Sequence, residues 1–207
     1  MTSDLPIYPE SAALRTGLQF ADLQRFHAVD KRPIWEKSDR LIALMEGSTS
    51  VADARQILVE PETASLLRTH AVLFAGKDGA GVLRRTLIAG RFRGQDCPEP
   101  QFIEGSLENF FSWMSAESMN EIHPIEKAAL VMTRIVDIWP FEIGNLTAAI
   151  VLANAYLAKA NYAPFFVLPE HVKEFDGVMA KAVTIETQPL VNVIYQTIKR
   201  ELQGLAV

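Results

Sequence analysis

Apolar residues recur along most of this chain at three- and four-residue intervals, the period that gathers them on one face of an α-helix. Leu14, Leu18, Leu23 and Phe26 follow Ser11 in this way. A second helix is expected from Pro33, whose fixed φ suits a first helical position, through Leu41 and Leu44 to a stop at Gly47. Ser50 can cap a short helix reaching Ile57 and Leu58, and Pro61 starts another that sets Leu66, Leu67, Val72 and Leu73 on one side. Residues 77–81 read as a loop. Between 86 and 104 the pattern changes. Leu87-Ile88 and Phe102-Ile103 are short β-capable pairs among Gly90, Gly94, Pro98 and Pro100, which predicts a small β-hairpin flap. Helical spacing resumes at Ser106 with Leu107, Phe110, Phe111, Trp113 and Met114 as expected core, and again after His123-Pro124 with Ala128, Ala129, Met132, Ile135 and Val136. A loop at 139–145 leads into a stretch that is apolar on every side, and Pro169 and Pro189 open two last helices. The expected architecture is mainly α: one domain over residues 1–207, a bundle of eight or nine helices with a small β-hairpin flap.

Composition narrows the function classes. With 49% hydrophobic and 22% charged residues among 207, the chain has enough apolar material for a core, so wholesale disorder is excluded. Net charge is −5 and no Lys/Arg run occurs, so a nucleic-acid partner is not expected. The single cysteine, Cys97, rules out a disulfide within the chain, and no two of the four histidines have zinc-site spacing, so no metal is expected. The amino terminus has neither a basic start nor an apolar run. The stretch LTAAIVLANAYLA from Leu146 reaches about 20 Å, short of the roughly 30 Å of a bilayer core. A cytoplasmic protein without a membrane partner is expected.

The candidate chemistry lies at 139–150, WPFEIGNLTAAI. A sharp loop feeding a helix amino terminus gathers free N–H groups and the positive end of the helix dipole, which suits an anion. The same residues also make an ordinary helix–helix turn, with Gly144 for backbone freedom and Asn145 as cap. This stretch resembles the signature loop HPFx(D/E)GNGRxxR of the Fic (Fido) family of nucleotide-dependent protein-modifying enzymes. Pro140, Phe141, Gly144 and Asn145 match it. Three further segments stand in the family's order. His123-Pro-Ile-Glu-Lys-Ala-Ala129 looks like the helix before the motif, and Gly90-Arg-Phe-Arg93 looks like the G-x-x-R element entering the flap. Ala43-Leu-Met-Glu46-Gly47 is similar to the inhibitory helix (S/T)xxxE(G/N), with Ile42 where Ser or Thr is expected. The resemblance runs from about residue 40 to 185 and leaves an N-terminal helix in 1–30 and a C-terminal helix in 187–207 unassigned.

The resemblance implies transfer of AMP from magnesium-bound ATP to a protein hydroxyl, with the motif histidine as general base. Here that position is Trp139, whose indole has one N–H donor and no basic lone pair. The acidic metal-holding position is Ile143, the next glycine of the phosphate nest is Leu146, and the two arginine positions are Thr147 and Ile150. The expected protein is a Fic-fold binding or regulatory pseudoenzyme with a degenerate site and no cofactor, since ATP and magnesium find no ligands. An active transferase of non-standard chemistry is the alternative. It requires a base at His123, Asp137 or Glu142 and a donor with little phosphate. A protein partner is expected at the flap around Gly90 and Arg93, where Arg91 and Arg93 can meet an acidic partner or form exposed ion pairs. The last helix, with Leu190, Val191, Ile194, Ile198 and Leu202, packs on its own domain or forms a homodimer face. With no arginine at 150, Glu46 is expected to be solvated or bound to another cation, most simply as a surface carboxylate before Gly47. His70 is expected to be a packed, hydrogen-bonded core histidine, and His123 a helix-start residue.

Overall fold

The structure is a computed structural model, and it describes residues 20–58, 60–90, 92, 97–184 and 186–205. The helix expected after Ser11, with Leu14 and Leu18, lies outside these residues, as do Arg91, Arg93 and Gly94 of the flap. Among the described residues there are nine α-helices: α1 (Ala21–Gln24), α2 (Arg32–Ala43), α3 (Val51–Ile57), α4 (Thr63–Leu73), α5 (Ile103–Met114), α6 (Pro124–Ile138), α7 (Asn145–Lys159), α8 (Val172–Val183) and α9 (Gln188–Leu205). No helix among them is long and apolar enough to cross a membrane.

The centre of the fold is the pair α6–α7, joined by the short loop at 139–144 and packed along their lengths. Twelve of the fifteen residues of α7 are buried. A helix can be apolar on all sides only when neighbours cover every face. Here α6 covers one, and α3 and α4 pack against others. Ala128 and Ala129 on α6 and Ala148, Ala149 and Ala153 on α7 are fully buried, and such small side chains allow close helix packing. Asn154 is the polar exception inside α7. Its side chain accepts from the Phe165 N–H and donates to the Phe165 carbonyl, both at 2.8 Å, so no buried amide group is left unsatisfied. α9 packs on α6 and α8. Its Leu190, Val191, Ile194, Ile198 and Leu202 are buried within the chain, so that face is already used.

Several local expectations are corrected. α2 ends at Ala43, and Leu44 is 73% exposed rather than inward. Phe102 and Ile103 are helical, not extended. Pro100 opens a 3-10 turn that runs into α5, and Ile103 and Leu107, four residues apart, both bury on the same face. Ser106 is therefore inside α5 and does not open it, and Trp113 is 43% exposed. The described part of the flap leaves at 87–89 and returns at Cys97, whose N–H donates to the Ile88 carbonyl at 3.0 Å.

Candidate functional site

α6 stops at Trp139, which turns into the left-handed region (φ 49°, ψ 61°) while its N–H still closes on the Ile135 carbonyl at 2.9 Å. The chain then folds back through buried Pro140 and Phe141 to Gly144 at φ 71°. A Cβ at Gly144 would lie 2.1 Å from the ring of fully buried Phe74, so both the backbone and the space demand glycine. Gly144 occupies the capping position of α7, and Asn145 is the first residue inside the helix. Asn145 does not cap. Its Oδ1 accepts from the Phe141 N–H at 2.9 Å and its Nδ2 donates to the Phe141 carbonyl at 2.8 Å, which closes the loop on itself.

Two residues brace this loop from outside. His70, fully buried as expected for a core histidine, stacks on Phe141 with centroids 3.6 Å apart. Its Nδ1 accepts from the Gly81 N–H at 2.9 Å, which leaves the proton on Nε2 to donate to the Ile143 carbonyl at 3.0 Å. Burial pushes its pKa down to about 4, so the ring is neutral near pH 7. Arg84 is the second brace. It is 2% exposed, its main-chain N–H donates to the Pro140 carbonyl at 2.9 Å, and its Nε donates to the Trp139 carbonyl at 2.7 Å. The guanidinium also donates to the Thr86 carbonyl at 2.7 Å and to the Pro98 carbonyl, so one side chain ties the loop to both limbs of the flap base. Sequence reasoning missed Arg84. Arg85 beside it is exposed, and nothing in the pair tells which one turns inward.

Glu46 is exposed, as expected of a surface carboxylate, but it has a partner within the chain. It sits in the left-handed region (φ 49°), and its Oε2 accepts from the Thr147 N–H at 2.9 Å and from the Thr147 Oγ1 at 2.8 Å. Its partner is the first turn of α7, not solvent alone and not a cation, and a carboxylate there is favoured by free N–H groups and the helix dipole. Lys77 Nζ donates to the Glu46 carbonyl at 3.0 Å and lies under Gly47. Around this contact Leu146 and Ile150 are buried and Ile143 is half-buried against the core. Half-buried Trp139 meets Phe92 edge to face at 6.2 Å. Gly90 is half-buried at the flap.

The structure places the other candidate bases as follows. His123 caps α6, accepting from the Ile125 N–H at 3.2 Å, stacks on Phe20 at 3.8 Å and meets the Tyr162 hydroxyl at 3.0 Å. Burial pulls its pKa down to about 3. α6 has fifteen residues, so at ~1.5 Å per residue His123 lies about 24 Å from Trp139 and cannot serve the loop. Asp137 pairs with Arg134 at 3.1 Å, and exposed Glu142 accepts from Thr86 Oγ1 at 2.7 Å. The donor set does not fit a magnesium–nucleotide group: the Ile143 side chain offers no oxygen, its carbonyl is taken by His70, and a carboxylate already occupies the Thr147 N–H.

Residues 61–157 match the Fic/DOC family. Protein adenylyltransferase Fic of Drosophila grimshawi is 27% identical over 180 residues, covering 84% of this chain and 36% of that relative. The chain thus spans little more than a third of that relative's length. Among solved structures, Fic-1 from C. elegans superposes with a TM-score of 0.72 at 17% identity, over 95% of this chain and 71% of that one. IbpAFic2, solved covalently tethered to Cdc42, gives 0.57 at 16% identity over 94% and 64%. These structural likenesses establish the helical fold.

Proposed function

Because residues 61–157 match the Fic/DOC family and the chain is similar to curated protein adenylyltransferases, we propose that it keeps the family scaffold as a protein-binding or regulatory module and does not transfer AMP. The observation that carries this reading is the Glu46 carboxylate seated on the Thr147 N–H and hydroxyl, beside an indole at position 139. A nucleotide phosphate entering there meets a negative charge, no arginine at 147 or 150 and no metal ligand at 143. A protein hydroxyl arriving at Trp139 meets no group able to take its proton. His123 is at the wrong end of α6, and Glu142 is engaged by Thr86, which weighs against the non-standard transferase.

The binding half of the reading rests on Arg84. A buried arginine that ties Thr86 and Pro98 to the loop braces the flap base whether or not chemistry follows. Leu87, 57% exposed at that base, offers an apolar contact to an extended protein segment that pairs along the flap near Gly90. The test is incubation with labelled ATP, magnesium and candidate proteins. Label is expected to remain at the level of a heat-killed control, and transfer above it overturns the proposal.

A further inference from the structure

At the opposite end of the α6–α7 pair from Trp139 is a cleft of about 620 Å³. Such a volume falls in the range of small-molecule sites. Its wall carries Lys127 from the first turn of α6, Tyr156 and Lys159 from the last turn of α7, and Arg55 from α3. Leu58 and Met114 supply apolar wall beside them. Among the described residues neither ammonium group makes an ion pair or side-chain hydrogen bond, and the Tyr156 hydroxyl has no hydrogen-bond partner. Arg55 is held by Asp39 at 3.1 Å and stacks on Trp35, yet its buried Nε donates to nothing. The carboxylates at this place are Asp39, spent on Arg55, and exposed Glu60.

This arrangement is unfavourable as it stands. Lys127 is half-buried in the first turn of a helix, where the dipole disfavours a cation. Its pKa is lowered, first by burial and then by the repulsion of Lys159. Burial also raises the Tyr156 pKa to about 12, so the phenol stays a proton donor. In a chain of net charge −5, a recess with two unpaired ammonium groups, beside the paired Arg55, against one unengaged carboxylate calls for a counter-charge.

We propose that this cleft binds a small phosphomonoester, its dianionic oxygens taken by the Lys127 and Lys159 ammonium groups and the Tyr156 hydroxyl, with its organic body against Leu58 and Met114. Two ammonium groups match a doubly charged head, and the recessed shape favours a small ligand over a nucleic-acid backbone. The site is separate from the loop at 139–145.

The test is thermal shift and calorimetric titration of the full chain in phosphate-free buffer, with inorganic phosphate, glucose 6-phosphate and glucose as probes at matched ionic strength. Phosphate is expected to raise the melting temperature, glucose 6-phosphate to raise it more, and glucose to leave it unmoved. Lys127→Met and Lys159→Met are each expected to weaken the phosphate response by about tenfold or more. Lys127→Met should itself melt no lower than wild type, because it removes a repelled cation, so its lost response is not unfolding. Silence of the wild-type chain toward both phosphates overturns the proposal. A Lys159→Met response equal to wild type also overturns it, as does tighter binding of an oligoglutamate peptide than of either phosphate.

Discussion

At the 139–145 end of the α6–α7 pair, polar groups are matched within the chain: Phe141 by Asn145, the Trp139 and Pro140 carbonyls by Arg84, the Ile143 carbonyl by His70, and the Thr147 N–H by Glu46. At the Lys127–Lys159 end two ammonium groups and a phenol face a cleft without partners. The same two helices build both ends, so the difference lies in what the neighbouring segments deliver. The first end receives a carboxylate from beyond α2, an imidazole from α4 and a guanidinium from before the flap. The second receives the end of α5 and the turn after α3, which bring mostly apolar or uncharged atoms. A satisfied end resists a ligand because the ligand must displace bonds already made. An unsatisfied end gains by taking one.

The largest effect expected is acid instability. His70 and His123 are buried and neutral, with pKa values pushed down to about 4 and about 3. In the unfolded chain they bind protons below about pH 6.5. Their contribution is therefore complete above about pH 6.5 and is lost as pH falls toward the folded values. Each loss is on the order of 3 to 5 kcal/mol. The melting temperature should stay flat with respect to these groups above about pH 6.5 and fall steadily between there and pH 4. A melting temperature unchanged down to about pH 4 would mean that both rings are hydrated in the folded state, and the closed end, which His70 braces, would be less closed than described.

Substitutions sharpen the comparison residue by residue. Gly144→Ala forces a Cβ to within 2.1 Å of the Phe74 ring at φ 71°, and the combined overlap and strain should cost about 4 kcal/mol. Arg84→Met leaves the Trp139, Thr86 and Pro98 carbonyls without their donor and should cost about 3 kcal/mol in denaturant unfolding. Asn145→Ala strips both partners from Phe141 and should cost about 2 kcal/mol. If all three behave as ordinary surface changes, within about 0.5 kcal/mol of wild type, the contrast between the ends fails.

Much of this was legible in the sequence, for reasons that also mark the limit. α6 and α9 are recoverable because periodic apolar spacing and proline starts act locally, and α7 because its unbroken apolar run does. The loop was recoverable through Pro140, Phe141, Gly144 and Asn145, whose spacing survives while Trp139 and Ile143 have diverged. What escaped was set by distant segments. Glu46 reaches Thr147 across 101 residues, and no local signal says which turn its carboxylate meets. Arg84 is buried beside exposed Arg85 because the carbonyls of Trp139, Thr86 and Pro98 converge on its guanidinium. Asn145 reads as a cap by residue type, yet Gly144 holds that position and frees the amide to clasp Phe141. The cleft could not be seen at all, since Lys127 and Lys159 become neighbours only when α6 and α7 pack.

Glu46 gives the smallest effect and the finest test. Its carboxylate is exposed at the residue level, and salt and water screen it, so Glu46→Gln should cost about 0.5 kcal/mol and Glu46→Ala about 1 kcal/mol. The cost should shrink in concentrated salt for wild type against Glu46→Gln, because glutamine keeps an acceptor and loses only the charge. Freeing the Thr147 N–H in Glu46→Ala should not create an anion site like the one at the other end. The turn of α7 there is walled by Leu146 and Ile150, with Lys77 the nearby cation already bonded to the main chain of residue 46. ATP with magnesium should therefore leave the melting temperature of Glu46→Ala unmoved while phosphate still raises it through Lys127 and Lys159. A clear ATP-dependent rise in that variant alone would show that a single carboxylate, and not the loss of the surrounding ligands, keeps nucleotide out of the loop.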